Sequence, residues 1–168
     1  MRTLLLTGLA LTLAAPAAVP VTAAPSPTPA SQCRAGETVV YTCGFGKSVG
    51  SVCSGGGKLH YRYGPAGKPD IAIASAPDWS NVRRKVVVGG GGGSQPYLRF
   101  TRADYSYVVF WGTAGNLTER PGKLWSGIHV RRGDKDLATL SCRGGAHPVG
   151  RITDAVPEDT DLSFDMWY

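Results

Sequence analysis

Apolar and polar residues alternate along most of this 168-residue chain after residue 36, and that period of two is the feature that most limits its fold. The alternation recurs in nine short stretches that are rich in β-branched or aromatic residues and bounded by Gly, Pro, Asn or Asp. These stretches are 37–45, 47–54, 58–64, 69–75, 82–89, 96–102, 104–112, 123–132 and 135–142. Short strands at such intervals predict an all-β domain, a single small antiparallel barrel or sandwich of about eight strands.

The first 23 residues have the layout of a secretory signal peptide. Arg2 precedes an apolar run of about a dozen residues, small residues follow, and cleavage is expected after Ala23. We therefore expect a periplasmic or secreted protein whose mature chain has no membrane span, with a retained N-terminal anchor as the alternative. Residues 24–32 carry three prolines and no large apolar side chain, which predicts a disordered lead-in to a β domain over 33–150.

All the cysteines follow the predicted signal peptide. They are Cys33, Cys43, Cys53 and Cys142. An even number of cysteines in an exported chain indicates two disulfides. If 37–45 and 47–54 form a hairpin, Cys53 lies at its open end near Cys33, which favours Cys33–Cys53 and leaves Cys43–Cys142; the other two pairings stay open. Because the chain has no C-x-x-C and no His at ligand spacing from a Cys, we expect no metal and no cofactor.

Charge is distributed unevenly along the chain, whose formal net charge is +6. Residues 25–150 contain 16 Lys and Arg against 7 acids, a net of +9, whereas residues 151–168 contain five acids against one Arg, a net of −4. The basic body favours an anionic envelope polymer or an envelope or host protein as partner, and we expect no nucleic acid. The acidic tail 151–168, whose end DLSFDMWY alternates, is either a docked last strand or a free extension.

Two basic clusters and a run of five glycines are the main binding candidates. The cations are Arg83, Arg84 and Lys85 in the first cluster and Arg131 and Arg132 in the second. The glycines, residues 89–93, follow the first cluster and form either a flexible binding loop or a plain connection between two strands, the second being the commoner case. His60 and His129 alternate with apolar neighbours, which predicts solvated histidines on the polar face of a sheet.

The stretch GKSVG, residues 46–50, matches catalytic motifs in part. A P-loop would need an earlier glycine that is missing here and a helix after the loop. The G-x-S-x-G pattern of serine hydrolases is complete, and Asp134 or Asp136 and then His147 follow Ser48 in order. Its nucleophile elbow, however, requires a strand-to-helix turn on a parallel sheet. We interpret GKSVG as a hairpin turn and expect no enzyme, with a small serine hydrolase as the less favoured alternative.

The chain resembles a group of small exported bacterial proteins of unknown function in a series of short motifs. These are Cys33-x-x-Gly-Glu, Cys43, Gly46-Lys47, Ser51-Val52-Cys53, Tyr61-Arg62-Tyr63-Gly64 and Gly67-Lys68-Pro69, followed by the glycine run, the strand 105–111, Ser126-Gly127-Ile128-His129-Val130 and 138–142. The likeness covers residues 33–142. It implies an exported, β-rich protein and implies no activity.

A second resemblance is to periplasmic inhibitors of c-type lysozyme, which are small disulfide-tied β-barrels. Tyr41-Thr42-Cys43 is similar to their Tyr-x-Cys start, and Ser126-Gly127 to the loop that enters the lysozyme cleft. The resemblance implies an inhibitor of a wall-degrading enzyme that acts through Ser126 and Gly127. Two features depart from that pattern: Ser126-Gly127 lies in strand-like sequence, and a basic body would repel a basic lysozyme.

Overall fold

The structure, a computed structural model, describes residues 30–148 and 152–160 and contains two five-stranded antiparallel sheets. The first sheet has the order β10 (Arg143–Pro148), β1 (Thr38–Phe45), β2 (Ser48–Gly55), β3 (Lys58–Pro65) and β4 (Ile71–Ala74). The second sheet has the order β5 (Val82–Val88), β6 (Ser94–Arg102), β7 (Tyr105–Thr113), β8 (Leu124–Arg132) and β9 (Lys135–Ser141). The predicted all-β fold is confirmed as a sandwich rather than a closed barrel. The predicted signal peptide, residues 1–23, lies outside the described residues.

The two sheets pack face to face over one apolar core, as the alternation predicts. The first sheet contributes Val40, Tyr41, Cys43, Val52, Leu59, Tyr61 and Ile73, and the second contributes Val82, Leu98, Phe100, Val109 and Ile128. Tyr61 bridges the sheets, because its ring centroid lies 5.6 Å from that of Phe100 and 5.4 Å from that of Tyr107. Such aromatic pairs add about 0.5–1.5 kcal/mol each beyond the area that they bury.

All nine predicted strands are present, and a tenth was missed. β10 reads RGGAHP, which lacks alternation and contains two glycines, so its sequence resembles a loop; it forms a strand because it pairs with β1. The GKSVG stretch is the predicted hairpin turn between β1 and β2, with Gly46 at φ 77°. Within the described residues no helix is long and apolar enough to cross a membrane.

Both favoured disulfides are present. Cys33–Cys53 joins the N-terminal segment to β2, and Cys43–Cys142 joins β1 to the corner where the chain leaves β9 and enters β10. Cys142 also donates its backbone N–H to the Ser126 carbonyl, 2.9 Å away, so this corner is bonded to both sheets. Each bond stabilises the fold by about 2–4 kcal/mol in the chain-entropy model. Disulfides are compatible with an exported protein.

The N-terminal segment, residues 31–37, is bound to the first sheet on the face that points away from the core. Glu37 binds the buried Arg62 through two hydrogen bonds, of 2.6 and 2.8 Å, and Arg62 Nη1 also donates to the Gln32 carbonyl. Gln32 itself is buried and donates from Nε2 to the Gly64 and Pro65 carbonyls. The predicted disordered lead-in is therefore wrong at its end, because Gln32 belongs to the folded domain.

The C-terminal segment, residues 152–160, is bound to β5 at the edge of the second sheet. Arg84 donates its N–H to the Pro157 carbonyl and accepts from the Asp159 N–H, which makes a short parallel bridge. The Asp159 carboxylate is buried and binds Arg99 through two hydrogen bonds of 2.7 Å each. Val156 enters the core. The first part of the acidic tail is thus docked, whereas residues 151 and 161–168 lie outside the described residues.

We expect Asp159→Asn to lower the free energy of unfolding by about 3 kcal/mol or more, because it leaves the Arg99 charge without its buried counterion. The matched change is Asp154→Asn in the same segment, where the carboxylate is 78 % exposed and 3.6 Å from Arg84. That change should lower the free energy of unfolding by less than about 1 kcal/mol. Denaturant unfolding of both variants measures the difference, and equal losses would contradict a buried Asp159–Arg99 pair.

Acid should weaken the attachment of the N-terminal segment. The pKa of Glu37 is lowered from 4.5 to about 2, chiefly by its hydrogen bond with Arg62. The folded protein therefore keeps this carboxylate ionised where the unfolded chain takes up a proton, so its contribution to stability is complete above pH 4.5 and is lost as the pH falls towards 2. Glu37→Gln should be less stable than wild type at pH 7 and lose less stability across that window.

Unfolding free energies measured from pH 7 to pH 2 test this expectation. The control is Glu119→Gln, the same substitution at an exposed glutamate in a loop. Its acid dependence should follow that of the wild type. If the unfolding free energies of Glu37→Gln and wild type fall in parallel with pH, Glu37 does not contribute to the loss of stability in acid.

Candidate functional site

The first predicted basic cluster is used largely within the protein. Arg83 Nη1 donates to the Trp79 and Val82 carbonyls, at 2.7 and 2.9 Å. Arg84 Nε donates to the Val156 carbonyl at 2.8 Å and so holds the C-terminal segment. Lys85 is half-buried on the face of the second sheet that points away from the core. This cluster therefore fastens the edge of the sandwich.

The second predicted cluster lies at the opposite end of the second sheet from the glycine run. Arg131 Nε is 2.7 Å from the Asp136 carboxylate, and Arg132 Nε is 2.6 Å from that of Asp104. The Arg132 guanidinium also lies 5.4 Å from the centroid of the Tyr105 ring. The structure thus keeps the two basic clusters apart, because β6 and β7 lie between β5 and β8.

His129 is not the solvated histidine that the alternation predicts, because its side chain is only 7 % exposed. Its Nδ1 lies 2.7 Å from Thr139 Oγ1 and its Nε2 lies 2.9 Å from Asp136 Oδ1. These contacts join β8 to β9 through a buried imidazole. The burial of His129 could not be predicted from its own strand, because its partners come from the neighbouring strand.

The glycine run packs closely against a second loop instead of making a plain connection. Residues Gly90–Gly92 form a 3₁₀ turn, closed by a 2.9 Å hydrogen bond from the Gly89 N–H to the Gly93 carbonyl. The Gly91 carbonyl accepts from the Leu117 N–H, and a Cβ at Gly115 would collide with that same carbonyl. The run therefore holds residues 114–123, the loop between β7 and β8, and we call this region the loop end of the second sheet.

A groove of about 540 Å³ lies at the loop end, where β9 leaves β8, a volume in the range of ligand sites. Its lining consists of Phe110, Lys123, Leu124, Trp125, Ser126, Thr139, Ser141 and Cys142. A smaller depression of about 330 Å³ adjoins it and shares Lys123; this one is lined by Ala114, Thr118, Glu119, Arg120 and Lys123. Of the predicted binding residues, Ser126 is the one that lines the groove.

The Ser126 hydroxyl is buried on the core face of β8, because Ser126 is paired with Trp111 and alternates with Trp125 and Gly127, which face outwards. It lies close to the buried Tyr41 hydroxyl and offsets part of the increase that burial causes in the pKa of Tyr41. Ser126 therefore borders the groove, while its hydroxyl points towards the core.

Trp125 presents its indole to the groove in a fixed orientation. Its Nε1 donates to Gln95 Oε1 at 2.7 Å, and the ring lies over Gly112, where a Cβ would collide with it. Glycine at that position therefore lets the indole lie flat against β7. A flat aromatic ring beside hydroxyl groups and a cation is the composition of a ligand site with a few oriented polar contacts.

Exposed apolar side chains also collect at the loop end. Val88 and Leu124 lie in one row across the sheet, through Ser94 and Thr113, and are 76 % and 64 % exposed. Leu117 in the neighbouring loop is 88 % exposed. Exposed apolar groups gathered at one end of a domain are typical of a contact surface.

Ser126 and Gly127 are in β8, as their strand-like sequence indicates, and both are buried. Gly127 has no room for a side chain, because a Cβ would collide with the Leu140 carbonyl. Ser48 begins β2 in the first sheet, whereas Asp134 and Asp136 belong to the β8–β9 hairpin of the second. The side chain of His147 lies outside the described residues.

Comparison with protein-family models, with curated proteins and with solved structures gave no match to this chain.

We expect Gly115→Ala to disturb the loop end, because the added methyl group would displace the Gly91 carbonyl or the loop itself. The matched control is Gly90→Ala in the glycine run, where a Cβ would meet nothing within 4 Å. Gly115→Ala should destabilise the protein by about 1–3 kcal/mol, whereas Gly90→Ala should change its stability by less than about 0.5 kcal/mol. Thermal unfolding compares the two, and equal stability would contradict close packing of these loops.

Proposed function

We propose that this protein is an exported, non-enzymatic binding module whose ligand is an anionic polymer of the cell envelope, and that the loop-end groove is its binding site. The observation that carries the proposal is the composition of the groove, in which the Trp125 ring lies together with Ser141 and Lys123. These side chains offer a ring surface, a hydroxyl group and a positive charge to one ligand.

Cations at the loop end support an anionic ligand: Lys123 lines the groove and Arg120 lines the adjoining depression. Arg120 and Lys123 form no ion pair with any residue that the structure describes, in contrast to Arg99, Arg131 and Arg132, which bind acids of the protein itself. Charge available for a ligand is therefore found at the loop end, and not at the two basic clusters that the sequence favours. The net charge of the body would also attract an anionic polymer from a distance.

The remaining lining favours a polymer made of rings that carry hydroxyl groups. Trp125 offers an aromatic surface of fixed orientation, and Ser141 adds an exposed hydroxyl group on β9 near Thr139, whose own hydroxyl is bonded to His129. Aromatic rings pack well against apolar ring faces, while hydroxyl groups and Lys123 set the orientation through hydrogen bonds. An acidic polysaccharide combines these properties.

Ser141→Ala separates binding from folding. Removal of an exposed hydroxyl in the groove should leave the melting temperature of the free protein nearly unchanged. It should also raise the Kd for polygalacturonate, used as the probe polymer, by about two- to tenfold, the loss of one hydrogen bond. Ser106→Ala, in the same sheet but in the row of Arg131, is the control and should leave the Kd unchanged.

The charge requirement is tested by a pair of substitutions with the same effect on net charge. Lys123→Gln should weaken binding to polygalacturonate and reduce its salt dependence, whereas Lys135→Gln, at the far end of β9, should do neither. Polyglutamate, which is anionic but has no rings, should bind more weakly than polygalacturonate. Equal effects of the two lysine changes would contradict the assignment of the site to the loop end.

A further inference from the structure

The outer face of the second sheet, which points away from the core, carries an apolar cluster of its own. The cluster consists of Tyr97, Val108 and Phe110, with Val87 and Trp125 packed against it. The register places these residues on one face, because their neighbours along the strands, Leu98 and Val109, belong to the core between the sheets. This cluster is therefore separate from the core of the sandwich.

The cluster is buried as completely as the core. Tyr97 and Val108 are 0 % exposed and Phe110 is 2 % exposed. Apolar side chains on an uncovered sheet face keep part of their surface in water, and antiparallel sheets commonly have such a solvated face. Burial this complete on the outer face requires a covering layer of chain.

The C-terminal segment approaches this face and ends beside it. It runs parallel to β5, and the Asp159 carboxylate binds Arg99, which lies on the outer face in the row of Val108 and His129. Thr160, which follows Asp159, is the last residue of the described segment. The next residues of the chain therefore start at one side of the apolar cluster.

We propose that residues 161–168 dock across the outer face of the second sheet and cover this cluster. The sequence DLSFDMWY alternates, with Leu162, Phe164, Met166 and Tyr168 at every second position. An extended segment of this pattern presents one apolar side. Such a side matches a cluster of three aromatic rings and two valines.

The segment is long enough to cross the cluster. Strands in a sheet are about 4.8 Å apart, so the distance from β5 to β8 is roughly 14 Å. Eight extended residues span up to about 26 Å. The segment can therefore reach from the edge at β5 to Trp125 on β8.

The charges of the segment also match those of the face. Its acids are Asp161 and Asp165, and the face carries Arg83, Lys85, Arg99 and Arg131 around the apolar cluster. Acidic groups above such a rim of cations are favoured electrostatically. The acidic tail would then complete the second sheet as the N-terminal segment completes the first.

This docking does not rest on the proposed polymer binding, although Phe110 and Trp125 belong to both surfaces. The full-length chain, isotopically labelled for NMR, provides the test. We expect nuclear Overhauser contacts between side-chain protons of residues 161–168 and the methyl groups of Val108. In a mixture of labelled and unlabelled chains, an isotope-filtered experiment should show that these contacts lie within one molecule.

Two variants of the full-length chain complete the test. Phe164→Asp places a charge on the apolar side of the segment and should abolish the contacts to Val108, whereas Ser163→Asp, on the other side, should retain them. Absence of contacts in the wild-type chain would overturn the proposal. Contacts that arise only between labelled and unlabelled molecules would overturn it as well, because the cover would then be a second copy. Neither result would depend on whether polygalacturonate binds.

Discussion

Two buried arginine–carboxylate pairs attach the ends of the chain to the sandwich. Arg62 binds Glu37 on the outer face of the first sheet, and Arg99 binds Asp159 on the outer face of the second. In each pair two hydrogen bonds join a strand residue to a segment that is not itself a full strand. An ion pair removed from water is stable only if its geometry is good, and the double hydrogen bonds of both pairs meet that requirement. The terminal segments therefore belong to the folded unit.

These attachments explain why the domain has basic sequence clusters without a correspondingly free basic surface. Arg83, Arg84, Arg131 and Arg132 bind carbonyls or acids of the protein itself. Much of the positive charge thus serves to hold edges, turns and terminal segments in place. At the loop end, by contrast, a Trp125 ring of fixed orientation borders the groove, and Arg120 and Lys123 have no ion pair among the described residues.

Much of the fold could be predicted from the sequence, because the pattern that favours a strand lies within the strand itself. Alternation marked nine strands, and the turn at Gly46 made the pairing Cys33–Cys53 and Cys43–Cys142 the favoured one. β10 was missed since its strand character comes from pairing with β1 and not from its own residues. Alternation also could not decide whether the strands close into a barrel or form two sheets of a sandwich, because both folds require the same period of two.

The site was predicted less well, because the role of a cation depends on its partners in space. Arg62 and Arg99 alternate with apolar residues in their strands, a pattern typical of exposed side chains, yet both are bound to acids that lie 25 and 60 residues away in the sequence. His129 is buried for the same reason, by Thr139 and Asp136 across the strand pair. Ser126 was a candidate through a family resemblance, but its position in a groove follows from the way β9 leaves β8 at Cys142.

Native-state hydrogen exchange of the Arg84 and Asp159 amides is the most direct test of the claim that the terminal segments are part of the cooperative fold. Both N–H groups are donors in the bridge between β5 and the C-terminal segment. If the Arg99–Asp159 pair holds this segment, both amides should exchange through global unfolding, with the same free energy as amides in the central strand β7. Exchange of both at the fast rates of an exposed loop would contradict the account.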